Sequence, residues 1–275
     1  MKASYLSDRG IVRVGGAEAR AFLQGLVTGN VVTLGADEAR WAALLTPQGK
    51  ILFDFLMTAN SCANGPDAIL LDVKREKIPE LVKRLSMYKL RAKVEIADLS
   101  ESLGVIALYG GVVAEGAQDS RHPDMGARLV APAADIAAVM LTFGGDAGIA
   151  AYDAHRIALG VPEGGVDFVY GDAFPHEADM DQLNGVDFKK GCFVGQEVVA
   201  RMQYRGLTRN RVIKVTLEGA PATPGAAVMA GDLRVGVMGS SAGARGLALL
   251  RLDRAEEAAQ TGQVLVSGET RLRLM

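Results

Sequence analysis

Only two cysteines, Cys62 and Cys192, occur in 275 residues. A chain of this length can bury a large core without covalent staples, so a disulfide framework is neither needed nor suggested, and both are read as free thiols. Histidine is scarce as well: His122, His155 and His176 are the only three. No CxxC or HxxxH spacing links them to a cysteine, which argues against a preformed structural zinc site. Long apolar runs are missing too, none approaching the roughly 20 residues that cross a bilayer. The opening MKASYLSDRG has neither the apolar core of a secretory signal nor the arginines of a mitochondrial presequence, so the expectation is a soluble, cytoplasmic protein without a membrane partner. A formal net charge of −2 speaks against a nucleic acid backbone as the main partner, because such binding needs many neutralising cations.

What is present is an alternation of short strands and amphipathic helices. GIVRVGG alternates like a strand, and GAEARAFLQGLV places Ala19, Phe22, Leu23 and Leu26 at helical spacing. RWAALLTPQGKILFDFLMTA reads as two apolar strands around the turn signal Pro47, Gln48, Gly49. In REKIPELVKRLSMYKL, Ile78, Leu81, Val82 and Leu85 share one helix face. EGAQDSRHPDMG reads as a polar loop, and residues 133–143 and 147–159 as helices. From Asn210 the chain becomes short alternating segments separated by glycines, the pattern of a terminal β-barrel or sandwich. The order is neither a regular βαβ alternation nor a bundle, so the fold class is α+β with mostly antiparallel sheets. The glycine pairs lack GxGxxG spacing between a strand and a helix, and are read as turns.

The stretch DFKKGCFVGQE, residues 187–197, sets Cys192 beside Lys189 and Lys190, just ahead of a helix beginning near Gln196. Positive charge and a helix N-terminus both favour a thiolate, so the sulfur is a candidate for chemistry or metal capture; a small buried hydrophobe is the alternative. Glu197 stands four residues before Arg201, at ion-pair spacing.

KKGCFVGQE resembles the signature of YgfZ-type folate-binding proteins, relatives of the glycine-cleavage T-protein (aminomethyltransferase). FLQGLVTGNV, PQGKILFDF, MYKLRAKVEI, HRIALGVPEGGVDF, FPHEADMDQLNGVDF and GLALLR fit the same family in the same order, so the resemblance spans essentially the whole chain. It implies two interleaved α+β subdomains over residues 1–209 and a C-terminal β-barrel over 210–275, arranged as a cloverleaf around a central cavity. It also implies tetrahydrofolate as ligand. The implied role is in assembly or repair of iron-sulfur proteins, with client enzymes or cluster carriers as partners, among them enzymes that modify tRNA.

On this resemblance Cys192, Lys190 and Asp54 are the candidate catalytic residues, and Glu197, Gln196, Tyr152, Asp54 and Arg201 the candidate folate contacts. Glu197 and Gln196 can read a pterin edge in pairs or cap the helix. Lys190 can hold the thiolate, meet the folate tail or simply be solvated. Asp54 matches the second member of the transferase's acidic pair, while Phe53 stands in place of the first. It can contact the folate amine or merely end a strand. Tyr152 can stack on the ligand or pack in the core, and Arg9 stands where relatives carry another aromatic. Arg201, Arg205, Arg209 and Arg211, with Lys214, form a basic strip suited to a polyglutamate tail, an acidic protein or tRNA, or to plain solvation. The leading function is a tetrahydrofolate-binding accessory factor for iron-sulfur clusters acting through Cys192. The alternative is an aminomethyltransferase-like one-carbon transfer to tetrahydrofolate.

Overall fold

A computed structural model describes residues 1–59, 68–220 and 222–275. The chain opens with β1 (Lys2–Tyr5) and β2 (Arg9–Gly15), helix α1 (Ala19–Gln24), the hairpin of β3 (Glu38–Leu45) and β4 (Ile51–Ala59), and β5 (Ile69–Lys74). Helix α2 (Ile78–Lys89) and β6 (Glu95–Asp98) follow, then β7 (Leu103–Tyr109), β8 (Ala117–Asp119), β9 (Ala127–Pro132), α3 (Ile136–Thr142) and α4 (Ile149–Leu159). The next helix is α5 (Gln196–Arg205), so residues 160–195 connect two helices with no helix or strand of their own. The remainder is β10 (Asn210–Glu218), β11 (Ala227–Ala230), β12 (Leu233–Ala242), β13 (Arg245–Arg251), α6 (Leu252–Gln260), β14 (Leu265–Ser267) and β15 (Thr270–Leu274).

Nine strands form one sheet in the order β1-β7-β9-β8-β3-β4-β5-β2-β6, and the last six close into a barrel. The α+β expectation holds, and the terminal unit is a barrel. The two halves of the sheet are interleaved in sequence: β1 pairs with β7, while β2 to β6 build the other half. Their seam is a short parallel pairing of β3 with β8, Glu38 opposite Gln118 and Ala39 opposite Asp119. Strand β8 lies inside the segment expected to be a loop. Ala117, Gln118 and Asp119 carry no apolar alternation, and the strand exists because β3 and β9 flank it.

Because neighbouring strand residues point to opposite faces, β3 and β4 feed two cores. Ala42, Leu44, Phe53, Phe55 and Met57 pack under α1 and α2 with Leu23, Ile78, Leu81 and Leu85. Trp41, Ala43, Leu45, Ile51 and Leu56 face the other way, onto Phe168, Phe193 and Val199. Asp54 is in the middle of β4 rather than at its end, and lies on the second face. Tyr152 of α4 belongs to a third core with Leu70, Val105 and Tyr109.

Candidate functional site

The cysteine loop is held from three directions. Phe193 is buried against Trp41 and Val199, and Val194 packs on the α1–α2 core. On the other side of the sulfur, Lys190 Nζ donates to the carbonyls of Gln24 (2.7 Å) and Val27 (2.5 Å) at the end of α1, while Gln24 Nε2 donates back to the Lys190 carbonyl (3.1 Å). Between these anchors Gly191 takes φ +96° with open space around it, and Cys192 is exposed as a free thiol. Gly195, at φ +82°, precedes α5; a Cβ there would stand 2.5 Å from the Thr46 carbonyl oxygen and 3.0 Å from Gly49 Cα. The motif glycine is therefore demanded by a backbone approach to the β3–β4 turn.

Lys190 is committed to those two carbonyls, and no hydrogen bond joins it to the thiol among the described residues. Burial lowers its pKa to about 8, against the opposing pull of Asp187. The unfolded chain keeps this lysine protonated to about pH 10.4, so between pH 8 and that value it binds more protons than the folded state. The contribution of Lys190 to stability must then rise with pH across this window. The neutral amine still has two N–H groups for the two carbonyls. Denaturant unfolding of wild type and Lys190→Met at pH 7.5 and pH 10 checks the sign: the gap between them widens at pH 10, and a constant or shrinking gap refutes it.

Gln196 and Glu197 do not line the central pocket that holds Asp54 and Tyr152. Gln196 Oε1 accepts from the Phe193 backbone N–H (3.3 Å), folding back on the loop as a cap. Glu197 and Arg201 are exposed on α5, and no ion pair joins them among the described residues, so the pairing expected from their spacing is not formed. Arg205 and Arg209 are exposed as well. Arg211 leaves the basic strip altogether, because its guanidinium binds Asp179 (2.6 Å) and Asp181 (2.9 Å). Cys62 lies outside the described residues. Among those described, no group of three or more His, Cys, Asp or Glu side chains is placed to hold a metal ion.

Asp54 and Tyr152 do come together, in a central pocket between the sheet and α4 that also takes Arg9, Arg121, Arg128 and Arg156. Asp54 Oδ2 accepts from Trp41 Nε1 (2.9 Å), and Oδ1 from the Tyr170 hydroxyl (2.5 Å). Burial, then Asp54, holds the Tyr170 phenol far above its usual pKa. Arg9 Nε donates to Asp72 Oδ1 and Nη2 to the Asp72 carbonyl, both at 2.6 Å. Asp72 also faces Arg128 Nε at 3.2 Å. The Tyr152 hydroxyl accepts from Arg121 Nη2 (3.1 Å) and from Arg128 Nη2, and the Arg128 guanidinium lies 4.8 Å above the Tyr152 ring. Asp119, from the seam strand, completes the network with Arg121 (2.6 Å) and Arg128 (3.6 Å). Burial alone would raise the Asp119 pKa, but Arg121 and then Arg128 outweigh it and hold the carboxyl below its usual range. The sequence reading missed Asp72, Asp119, Arg121, Arg128 and Arg156. One signal was available: Arg156 stands four residues after Tyr152 and so shares its helix face. The other four lie on β5, at the end of β8 with the turn after it, and on β9.

This architecture, a split nine-stranded sheet leading into a terminal barrel, defines the class as the fold of the glycine-cleavage aminomethyltransferase. The crystal structure of glycine cleavage system aminomethyltransferase T from Bartonella henselae aligns with the whole chain and 84% of its own, at TM-score 0.77 and 16% identity. Residues 209–275 match the family described as CAF17, C-terminal beta-barrel domain. Within that class the chain belongs to the IBA57 family. It is 34% identical over 276 residues to "Iron-sulfur cluster assembly factor IBA57, mitochondrial" of Mus musculus, covering 90% of this chain and 76% of that protein. The Mycosarcoma maydis homologue is 34% identical over 245 residues, 82% of this chain, and the chain spans only 60% of that relative and 56% of the one from Aspergillus fumigatus. The resemblance read from KKGCFVGQE is thus narrowed from YgfZ-type proteins to IBA57, a related family. The expected cytoplasmic location is corrected by the same relatives, which are named as mitochondrial proteins.

Proposed function

We propose that this chain serves iron-sulfur cluster assembly by offering Cys192 as a single sulfur ligand to a cluster shared with a carrier or client protein. The observation that carries this reading is the exposure of that thiol on a loop anchored on both sides. An iron-sulfur cluster is held by several thiolates, and one cysteine supplies one of them, so the remaining ligands belong to the partner. Binding iron requires loss of the thiol proton, which an exposed sulfur releases directly to water. The relatives' names support the process.

Tetrahydrofolate, which the resemblance implies, does not fit the central pocket as the side chains fill it. One-carbon transfer meets the same obstacle. It needs a folate amine beside Asp54, whose two oxygens are already engaged by Trp41 and Tyr170.

The test is complementation of cells lacking the protein with wild type or Cys192→Ser. The serine variant is expected to melt at the wild-type temperature yet leave the activities of iron-sulfur enzymes several-fold lower, at the level of the empty vector. Wild-type activities from the serine variant would sink the reading.

A further inference from the structure

We infer that the central pocket of this chain takes no reduced folate and works instead as an internal ion lattice that joins the two sheet halves, α4 and the barrel. Space is the first argument. The pocket leaves about 20 Å3 for water-sized occupants, room for about one water molecule, whereas cofactor pockets run to roughly 300–1,000 Å3. What fills it is charge.

Hydrogen-bond capacity is the second argument. A pterin edge is read by a carboxylate, but each oxygen of Asp54 already accepts one hydrogen bond, from Trp41 or from Tyr170, which leaves one lone pair apiece on a buried group. An aromatic ring can stack on the ligand, but Tyr152 carries the Arg128 guanidinium over its face. Arg9, in place of an aromatic, is bidentate on Asp72. Admitting a ring requires breaking at least one of these pairs and leaving a buried charge without its partner, a heavy penalty on affinity.

The unmet hydrogen-bond capacity of the pocket is small and local. Among the described residues Arg128, 4% exposed, has its Nη1 without an acceptor, while its Nε and Asp72 Oδ2 face each other at 3.2 Å as an ion pair without hydrogen-bond geometry. The Tyr152 hydroxyl accepts two hydrogen bonds, which leaves its own hydrogen to be donated. The remaining volume matches a single water, which is one acceptor for that capacity and no more.

The lattice ties together elements from both sheet halves, α4 and the barrel. Asp72 of β5 meets both Arg9 of β2 and Arg128 of β9 across the sheet. Asp119 of β8 ties in at the seam, and Arg156 of α4 reaches Ser240 of β12 (3.2 Å).

The full chain is titrated calorimetrically with tetrahydrofolate and with 5-formyltetrahydrofolate, with melting temperatures recorded in parallel. Neither compound is expected to give saturable heat or to move the melting temperature, and Arg128→Met is expected to melt several degrees lower without any folate. Saturable binding that disappears in Asp54→Asn or Arg128→Met overturns the inference, as does an Arg128→Met protein that melts like wild type. Saturable binding that survives both variants lies elsewhere and leaves it standing. The outcome is independent of Cys192, because the serine variant keeps the lattice whole and is expected to behave as wild type in the same titration.

Discussion

Arg156→Met is expected to cost about 3–5 kcal/mol, the range for breaking a buried charge pair by removing one partner, and to lower the melting temperature by roughly 6–20 °C. Arg156 is 3% exposed, and its guanidinium uses all three nitrogens on carboxylates: Nε on Asp153 (2.8 Å), Nη1 on Asp167 (2.9 Å) and Nη2 on Glu163 (3.0 Å). Asp167 is itself sealed, and also receives the Ser240 backbone N–H of the barrel at 2.6 Å. Methionine keeps much of the volume but leaves that aspartate with a negative charge and no cation. Arg156→Lys should recover less than half of the loss, since a compact ammonium cannot span three carboxylates. Thermal unfolding followed by circular dichroism decides it; a fall of less than 2 °C in the methionine variant would show that the cluster contributes little.

Gly195→Ala is the second large effect. A non-glycine residue at φ +82° costs about 1–3 kcal/mol, and here the new methyl also meets backbone at 2.5 Å, so the β3–β4 turn must shift. Gly191 offers the control within the same loop, because at φ +96° an added methyl meets nothing. Gly191→Ala is expected to carry only the conformational cost, and Gly195→Ala clearly more. The alkylation rate of Cys192 should change further in the Gly195 variant, whose damage falls on the pedestal under the sulfur. Equal destabilisation of the two proteins would mean that the close approach to Thr46 has no energetic weight.

The elements that declared themselves in sequence are those whose periodicity answers to a single face. Helix α2 buries Ile78, Leu81 and Leu85 as its spacing requires, and the turn at Pro47–Gly49 closes the hairpin where expected. The barrel strands from Asn210 were legible for the same reason. Strands β8 and β9 were not, because Asp119 and Arg128 occupy inward positions that a hydrophobic pattern reads as solvent-facing. An ion lattice that pairs Arg9 with Asp72, Asp72 with Arg128 and Arg128 with Tyr152 leaves little local trace, since the partners in each of these pairs are more than twenty residues apart. The cysteine motif is the reverse case: its residues were legible as a string, but their directions were not. Lys190 turns to α1, Gln196 to the loop, and Glu197 and Arg201 to solvent.

The interleaving of the sheet has a consequence for biogenesis. The first strand, Lys2–Tyr5, finds its partner only at Ile106–Tyr109, so on a ribosome it waits through the synthesis of about a hundred residues with its edge bare. Such non-local closure is slow, and an open edge invites association with another chain. A fragment ending after β6 keeps that bare edge and strands Asp72 without Arg128, so it should collect in the insoluble fraction rather than behave as a half-protein.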